Sequence, residues 1–353
     1  MGSTHVPATT AMPEYNVTGQ DYSRRDHLLY AGPPIIDVHA HVTMTSLDDK
    51  PDGPAGGAGA AGSPDQAAVM LDAAAAFGVA RTYSMCPPQD VAPLRERFGR
   101  RLAFNAPISK KPDEPDEAAY RRLGQFLEAG VEMVKLWAAP RGRERGLVVD
   151  APWRVEGVRR ARAAGVRVVM VHVGDPDRWF ETVYTDSAKF GTKQDQYAGL
   201  GRMIELFPDL TWIGAHMGGD PEHPDHLEAL LERYPQLHFD TSATKWQVRE
   251  VSRRGEAIRS LICRHPDRFL FGSDLVTRHA LDPEHYVSRY WCQRTLWESA
   301  WVGPSPIDDP DFEPGPGGPA TPELRGIGLP PEVLDRLYHG NAVRVLGIPF
   351  DAW

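Results

Sequence analysis

Residues 35–41 read Ile35-Ile36-Asp37-Val38-His39-Ala40-His41, and the rest of the chain is best read outward from this stretch. An apolar pair opens it and two histidines, two positions apart, close it. On an extended strand, side chains at i and i+2 share a face, so His39 and His41 project together from the strand's C-terminal end. Further short β-rich runs follow at 79–85 (VARTYSM), 101–107, 131–137 (VEMVKLW), 166–172 (VRVVMVH), 210–216 (LTWIGAH), 236–241 and 268–273 (RFLFGS). Ala/Leu/Arg-rich stretches of helical character separate them, near 65–77, 90–97, 116–129, 152–164, 196–207, 224–234, 247–265 and 284–300. Pro64, Pro152 and Pro224 stand at or near first turns, and Gly130 and Gly165 stand just before strands, as helix starts and stops require. VRVVMVH and LTWIGAH do not alternate cleanly, so they read as strands buried on both faces, the mark of a parallel sheet. Strict alternation over eight repeats predicts an α/β fold closed into a (β/α)8 TIM-like barrel. An open doubly wound sheet lacks support, because no phosphate-cradling glycine motif follows the first strand.

The 353 residues, 41% apolar, suffice for one large barrel, taken here as a single domain over 35–353 that includes a last helix near 331–346. Residues 1–34 are polar and punctuated by Pro and Gly, and read as an arm wrapping that domain. The balance of 39 basic against 48 acidic residues gives −9 with no basic run, which argues against nucleic acid or an anionic membrane surface as partner. No run approaches the ~18 consecutive apolar residues of a membrane span. Cys86, Cys263 and Cys292 are scattered and odd in number, and no secretory leader is recognisable, so a reducing cytoplasm is the expected compartment. Three segments break the rhythm: 43–64, 173–195 and 302–331. The first two fall where βα-loops rise above an active-site face, and Trp179, Phe180 and Tyr184 mark the second as a lid.

Chemistry-bearing residues recur where strands end. His172 ends VRVVMVH, His216 ends LTWIGAH, Asp274 follows RFLFGS, and Lys135 lies late in VEMVKLW. One βα unit of an eight-fold barrel takes roughly 30–35 residues. His39 to Lys135 is 96 residues, three units; Lys135 to His172 is 37, one unit. His172 to His216 is 44, one unit plus the long loop, and His216 to Asp274 is 58, two short units. Every interval closes on whole units, so His39, His41, His172, His216 and Asp274 are expected on one rim, converging on a cation. Imidazole nitrogen and carboxylate oxygen favour zinc among divalent metals, with manganese, iron or cobalt as alternatives.

IIDVHAH, VVMVHVGD, WIGAHMGGD, FLFGSD and YHGNAVRVLG together resemble the amidohydrolase superfamily, in the amidohydrolase-related branch that includes aminocarboxymuconate-semialdehyde decarboxylase. The resemblance runs from Ile35 to the last helix and implies a distorted barrel with long βα-loops. It also implies His39, His41, His172 and Asp274 as metal ligands, with His216 as a catalytic group beside the metal. Binuclear members of the wider superfamily bridge two metals through a carboxylated fourth-strand lysine, the position of Lys135, with the sixth-strand histidine as a ligand. Lys135 shares a strand face with Met133 and Trp137, and the sequence leaves open whether that face points inward. One metal is the expectation, two the alternative.

A cation held by imidazoles and one carboxylate acidifies bound water, which can then attack an amide, ester or lactone carbonyl of a small substrate. Asp274 would take the proton and His216 would polarise the carbonyl or shuttle the proton. The runner-up is a non-oxidative decarboxylase acting on a carboxylated aromatic or enol, with His216 or Asp274 protonating carbon. A non-catalytic metal-binding barrel is the third class. Trp137, Trp246 and Arg278 are expected to line the substrate pocket, with Asn105, Arg141 and Thr241 as weaker candidates, and an arginine there would suit a carboxylate. Asp37 braces the first strand or orients an imidazole, Asn341 caps the final helix, and His223 and His226 face solvent. A homo-oligomer is compatible with the sequence, and nothing in it specifies one.

Overall fold

The apolar runs that end in histidine or aspartate become the staves of a barrel. A computed structural model of the chain describes residues 13–43, 64–277 and 282–349. The strands are β1 (Ile35–His41), β2 (Val79–Met85), β3 (Leu102–Pro107), β4 (Met133–Trp137), β5 (Val168–His172), β6 (Thr211–Gly214), β7 (Leu237–Asp240), β8 (Phe269–Leu270) and β9 (Leu275–Val276). They form one sheet in the order β8-β7-β6-β5-β4-β3-β2-β1-β9, all neighbours parallel. β8 and β9 are two pieces of a single stave: the first pairs with β7 and the second with β1, so the barrel closes through a broken eighth strand. The break is bridged by Val38 N–H donating to Phe271 O (2.9 Å) and Asp274 N–H donating to His39 O (2.7 Å).

Two apolar layers hold the barrel. Inside it, Ile36, Val38, Met133, Met170, Ile213 and Leu270 pack together, and Ala342 and Ile348 from the C-terminal segment join them. Outside, the opposite strand faces carry Val134, Leu136, Val169, Trp212 and Phe239 against the helices. Met133 inside and Val134 outside answer the parity question, because Lys135 and Trp137 then share the inward face. β1 does not keep one parity. Its pairing with β2 slips between Asp37 and Ala40, so Val38 packs inside the barrel and yet His39 and His41 also line the cavity above it. A local irregularity of this kind re-aims side chains at a barrel rim.

The helical stretches fall close to expectation, with three differences. The span 247–265 is two helices, Thr244–Arg253 and Gly255–Arg264. The last helix is Pro331–Asp335 and Asn341–Leu346 joined by a π-turn, and Asn341 does not cap it. Its side-chain amide instead donates to Pro266 O and Phe269 O, both at 2.8 Å, tying the C-terminal helix to the start of the eighth stave. The 302–331 segment contributes a small antiparallel pair, Val302–Pro304 with Glu323–Arg325. The arm's described part packs on helix Pro283–Glu298, where Tyr22 lies edge-on to Trp291 at 5.9 Å. Among the described residues no helix is long and apolar enough to cross a membrane. The 44–63 part of the first long loop, and Arg278, lie outside the described residues.

Candidate metal centre and active-site cavity

The strand ends on the C-terminal face converge on Asp274. Its Oδ1 is 3.0 Å from His41 Nε2 and 3.3 Å from His39 Nε2, and its Oδ2 is 4.0 Å from His216 Nε2. His39, His216 and Asp274 each offer a donor atom within 4.8 Å of the others, close enough for one cation to bridge. The rings stack around this point: His39 and His216 lie 5.0 Å apart, and His172 meets His216 edge-on at 4.8 Å. The ring nitrogens of His41 and His172 fall outside that tightest trio. His172 Nε2 pairs with Asp175 Oδ1 at 3.0 Å. Lys135 Nζ is 3.2 Å from His39 Nε2.

Backbone strain helps place these groups. β6 stops at Gly214, and His216 sits in a tight left-handed turn (φ 57°, ψ 44°) where a strand end was expected. Five non-glycine residues among those described have positive φ, and His216, Met217, Ala243 and Asp274 are four of them. Such conformations are costly for side-chain-bearing residues and cluster where surrounding structure forces them. Gly219 closes the His216 turn at φ 75°, and a Cβ there would lie 2.2 Å from Val173 O, so only glycine fits against the β5 loop.

The acceptors around the imidazoles fix their tautomers. Asp240, at the end of β7, takes Oδ2 to within 2.9 Å of His39 Nδ1, and an ionised carboxylate only accepts, so His39 donates from Nδ1. His216 Nδ1 lies 2.8 Å from Ser242 Oγ, which in turn donates to Asp240 Oδ1. The same Oδ1 accepts the backbone N–H groups of His216 (2.8 Å) and Ser242 (3.0 Å). His172 donates from Nε2 to Asp175, whose other oxygen accepts the Tyr184 hydroxyl at 2.9 Å. Three imidazoles thus hand one ring N–H to a carboxylate, directly or through a hydroxyl, and keep the other nitrogen as a lone pair. Metal-ligating histidines are held in this way, so the donor set fits a divalent cation. Asp37 accepts from His39 N (3.1 Å), Ser273 N (3.0 Å), Ser273 Oγ (2.6 Å) and Tyr290 Oη (3.0 Å), bracing β1 against the eighth stave.

Burial pushes the His216 imidazole well below its usual range, despite the pull of Asp274. Burial alone would raise the carboxyls of Asp274 and Asp240; His39 leads the neighbouring groups that outweigh it and hold both well below the usual carboxylate range. The hydrogen bonds that Asp37 accepts do not outweigh burial, which raises its carboxyl to about 6.

Above the histidines opens a cavity of about 380 Å³, the size of a small-molecule site. Trp137 lines it, as do Arg141 and, from the 173–195 lid, Trp179 and Tyr184. The lid carries two short helices, Asp177–Thr182 and Ser187–Phe190. Trp246 is placed differently from expectation: its ring lies 6.0 Å from the His216 ring and its Nε1 is buried without a hydrogen-bond partner among the described residues, but it is not among the described residues of the cavity wall. Asn105 sits on β3, fully buried, with its Oδ1 unpartnered among the described residues. Cys86 lines the cavity, yet burial pushes its thiol up, which does not suit a nucleophile. His223 is exposed, as expected, and His226 is partly buried; both grip Asp220, at 2.7 and 2.6 Å. Sequence reading missed Asp240, Ser242 and Asp175 as functional support. Asp240 could have been found by the rule that found the others, since it too ends a strand.

Known proteins share this fold. A 2,6-dihydroxybenzoate decarboxylase from Rhizobium superposes with a TM-score of 0.55 at 13% identity, covering 90% of this chain and 99% of that one. An amidohydrolase from Burkholderia multivorans gives 0.52 at 13%, covering 90% and 100%. A variant of the organophosphorus hydrolase from Deinococcus radiodurans gives 0.52 at 14%, covering 89% and 93%. At such identities the likeness is one of fold. No curated protein matches the sequence. The amidohydrolase family does, over residues 36–348, and with the barrel and its strand-end groups in place the chain belongs to that family.

Proposed function

We propose that the protein is a metal-dependent hydrolase acting on the amide, ester or lactone carbonyl of a small substrate. In this reading His39, His41, His172 and Asp274 hold one divalent cation, zinc first among the choices, and His216 stands beside it. The observation that carries the reading is the set of imidazoles locked into single tautomers by Asp240, Ser242 and Asp175 around the Asp274 carboxylate. Holding ring N–H groups on carboxylates is useful where the opposite nitrogens must stay available as ligands.

The cation would supply Lewis acidity and acidify water beside the carbonyl. Asp274 accepts the water's proton at a carboxylate oxygen. His216, neutral and donating from Nδ1 to Ser242, presents an Nε2 lone pair 4.0 Å from Asp274 Oδ2, where it can take up the proton Asp274 has received from water and then pass it to the leaving group. Trp179 and Tyr184 of the lid shield the reacting bond from bulk water. Decarboxylation of a carboxylated aromatic is the second reading. The aromatic side chains Trp137, Trp179 and Tyr184 in the wall favour it, and Asp274 or His216 would then protonate carbon.

Elemental analysis of the purified chain should give about one zinc-type ion per chain, lost in Asp274→Asn together with turnover on an ester, lactone and amide panel. Two ions per chain would instead draw Lys135 and His216 into the ligand shell. Release of carbon dioxide without hydrolysis would shift the assignment to the decarboxylase. Full turnover after exhaustive chelation would end both readings.

A further inference from the structure

The cavity wall carries charge that the hydrolytic step does not use. Lys110, Lys111 and Arg122 after β3, Arg141 and Arg145 after β4, and Lys135 within β4 line it, against two carboxylates, Asp175 and Asp274, among the described residues. The chain as a whole is −9, so the cavity has the opposite sign from the molecule around it. Several of these cations already have partners. Lys110 pairs with Asp116 at 2.7 Å, and Arg122 grips Glu114 through two contacts of 2.8 Å. Arg145 differs: its side chain lines the cavity, and its Nη1 is buried with no hydrogen-bond partner among the described residues. Proteins rarely leave a buried guanidinium donor unpaired, because its lost hydration is then uncompensated.

The segment that presents Arg145 is rigid. Pro140–Arg145 forms a 3-10 turn, and Gly146 follows it in the left-handed conformation. The buried Arg154 of helix Pro152–Ala163 donates to Trp137 O (2.7 Å) before this segment and to Leu147 O (2.6 Å) after it. Trp153 Nε1 donates to Gly146 O at 3.1 Å. A turn clamped at both ends holds its arginine in place before any ligand arrives, which lowers the ordering cost of binding.

We infer that Arg145 reads a carboxylate at the end of the substrate away from the reacting bond. The substrate is then a small organic acid with a flat apolar body, its carboxylate on Arg145 and its body against Trp137 and Trp179. A slight turn of the guanidinium brings the unpaired Nη1–H to the carboxylate, completing the forked geometry that Arg and carboxylate share. The reacting end rests on the hydrolase reading above; the carboxylate end rests on the cavity and Arg145 alone.

The test titrates benzoate and the uncharged benzamide into the full-length protein, followed by ligand-observed NMR. Wild-type protein should bind benzoate more tightly than benzamide. Arg145→Met should weaken benzoate ~10- to 100-fold and leave benzamide unchanged. Arg145→Lys, which keeps the charge and loses the fork, should fall between, and serves if the methionine variant does not fold. Benzoate bound equally by wild type and Arg145→Met overturns the assignment, as does equal wild-type affinity for the two probes. The same pair of titrations in an Asp274→Asn background separates the two ends. A persisting Arg145 effect there keeps the carboxylate site whatever becomes of the metal reading. Its disappearance means the carboxylate was held at the histidine end, and the inference falls.

Discussion

Asp240 makes no contact with the cavity, yet two of the imidazoles depend on it. It is fully buried, accepts from His39 Nδ1, and reaches His216 through Ser242 and through the His216 backbone. Asp240→Asn keeps the shape and reverses one contact: with its carbonyl kept on the two backbone N–H groups, its amide N–H faces His39 Nδ1–H, donor against donor. His39 must then change tautomer and give up the lone pair on Nε2. Competition with a chromogenic chelator should show metal affinity lower by ~10- to 100-fold in Asp240→Asn, and by less in Ser242→Ala, where a single link of the chain is lost. Unchanged affinity in both variants would remove the support role. The histidine pair and Asp274 are legible in the sequence because their types and intervals suffice. Asp240 has the same position at a strand end, but a carboxylate that supports a ligand and one that caps a strand look alike in one sequence. Lys135 is illegible for another reason: its strand is apolar on both sides, so hydrophobic pattern does not distinguish inward from outward, and only the packing of Met133 and Val134 does.

The seven unbroken staves and most helices are readable from apolar runs bounded by proline and glycine. The sequence hides the places where the backbone leaves its regular path: the slip in β1, the turn at His216 and the break between β8 and β9. Each puts ordinary residues into conformations that local propensity disfavours, so tertiary contacts must impose them, and these are the positions that aim the site. The lid shows a different kind of control. Lys193, at the start of helix Lys193–Leu206, contacts Asp177 and Asp220 at 2.6 Å each and Glu222 at 3.4 Å. Asp177 opens the short helix that carries Trp179, while Asp220 and Glu222 belong to the loop after His216. One ammonium group therefore ties the lid to the catalytic turn. Burial lowers the Lys193 ammonium, but Asp220 and the other carboxylates outweigh it and leave it raised, so the charge is retained. Lys193→Met leaves the buried Asp220 with only its two histidine partners, and should cost roughly 1–3 kcal/mol in urea unfolding, reduced from a fully buried pair because the lysine is partly exposed. Proteolytic cutting within 173–195 should rise with it. A variant with wild-type midpoint and an equally protected lid would show that the clamp is ornamental.

At the scale of the whole molecule, the eight repeats anticipate the closed barrel; whole-unit spacing puts the site residues at one edge of any parallel sheet, and closure is what brings His39 of the first stave beside Asp274 of the eighth. How the arm attaches is not legible, because a polar segment gives no periodic signal and part of its hold is electrostatic. Glu14 supplies that hold: it accepts from Arg289 at 2.9 and 3.0 Å, from Lys245 at 2.8 Å and from His285 at 3.0 Å. Burial would raise the Glu14 carboxyl, but His285, Arg289 and Lys245 outweigh it and hold it below the usual range. Burial pulls His285 down to about 4, against the hydrogen bond to Glu14. The signs agree. As pH falls from about 6.5 toward 4, the unfolded chain protonates His285 and the folded chain does not, so stability declines across that window. Below about 4.5 the unfolded chain also protonates Glu14 while the folded chain resists, which deepens the decline. Glu14→Gln should lower the urea midpoint at pH 7 by the equivalent of about 1 kcal/mol or less, since the carboxylate is partly exposed. It should also flatten the profile below pH 4.5, where the remaining fall would come from other groups. Midpoints that drop in parallel for wild type and Glu14→Gln from pH 7 to pH 3.5 would mean that the arm is held by its apolar contact through Tyr22 and Trp291, and that the charge cluster adds nothing.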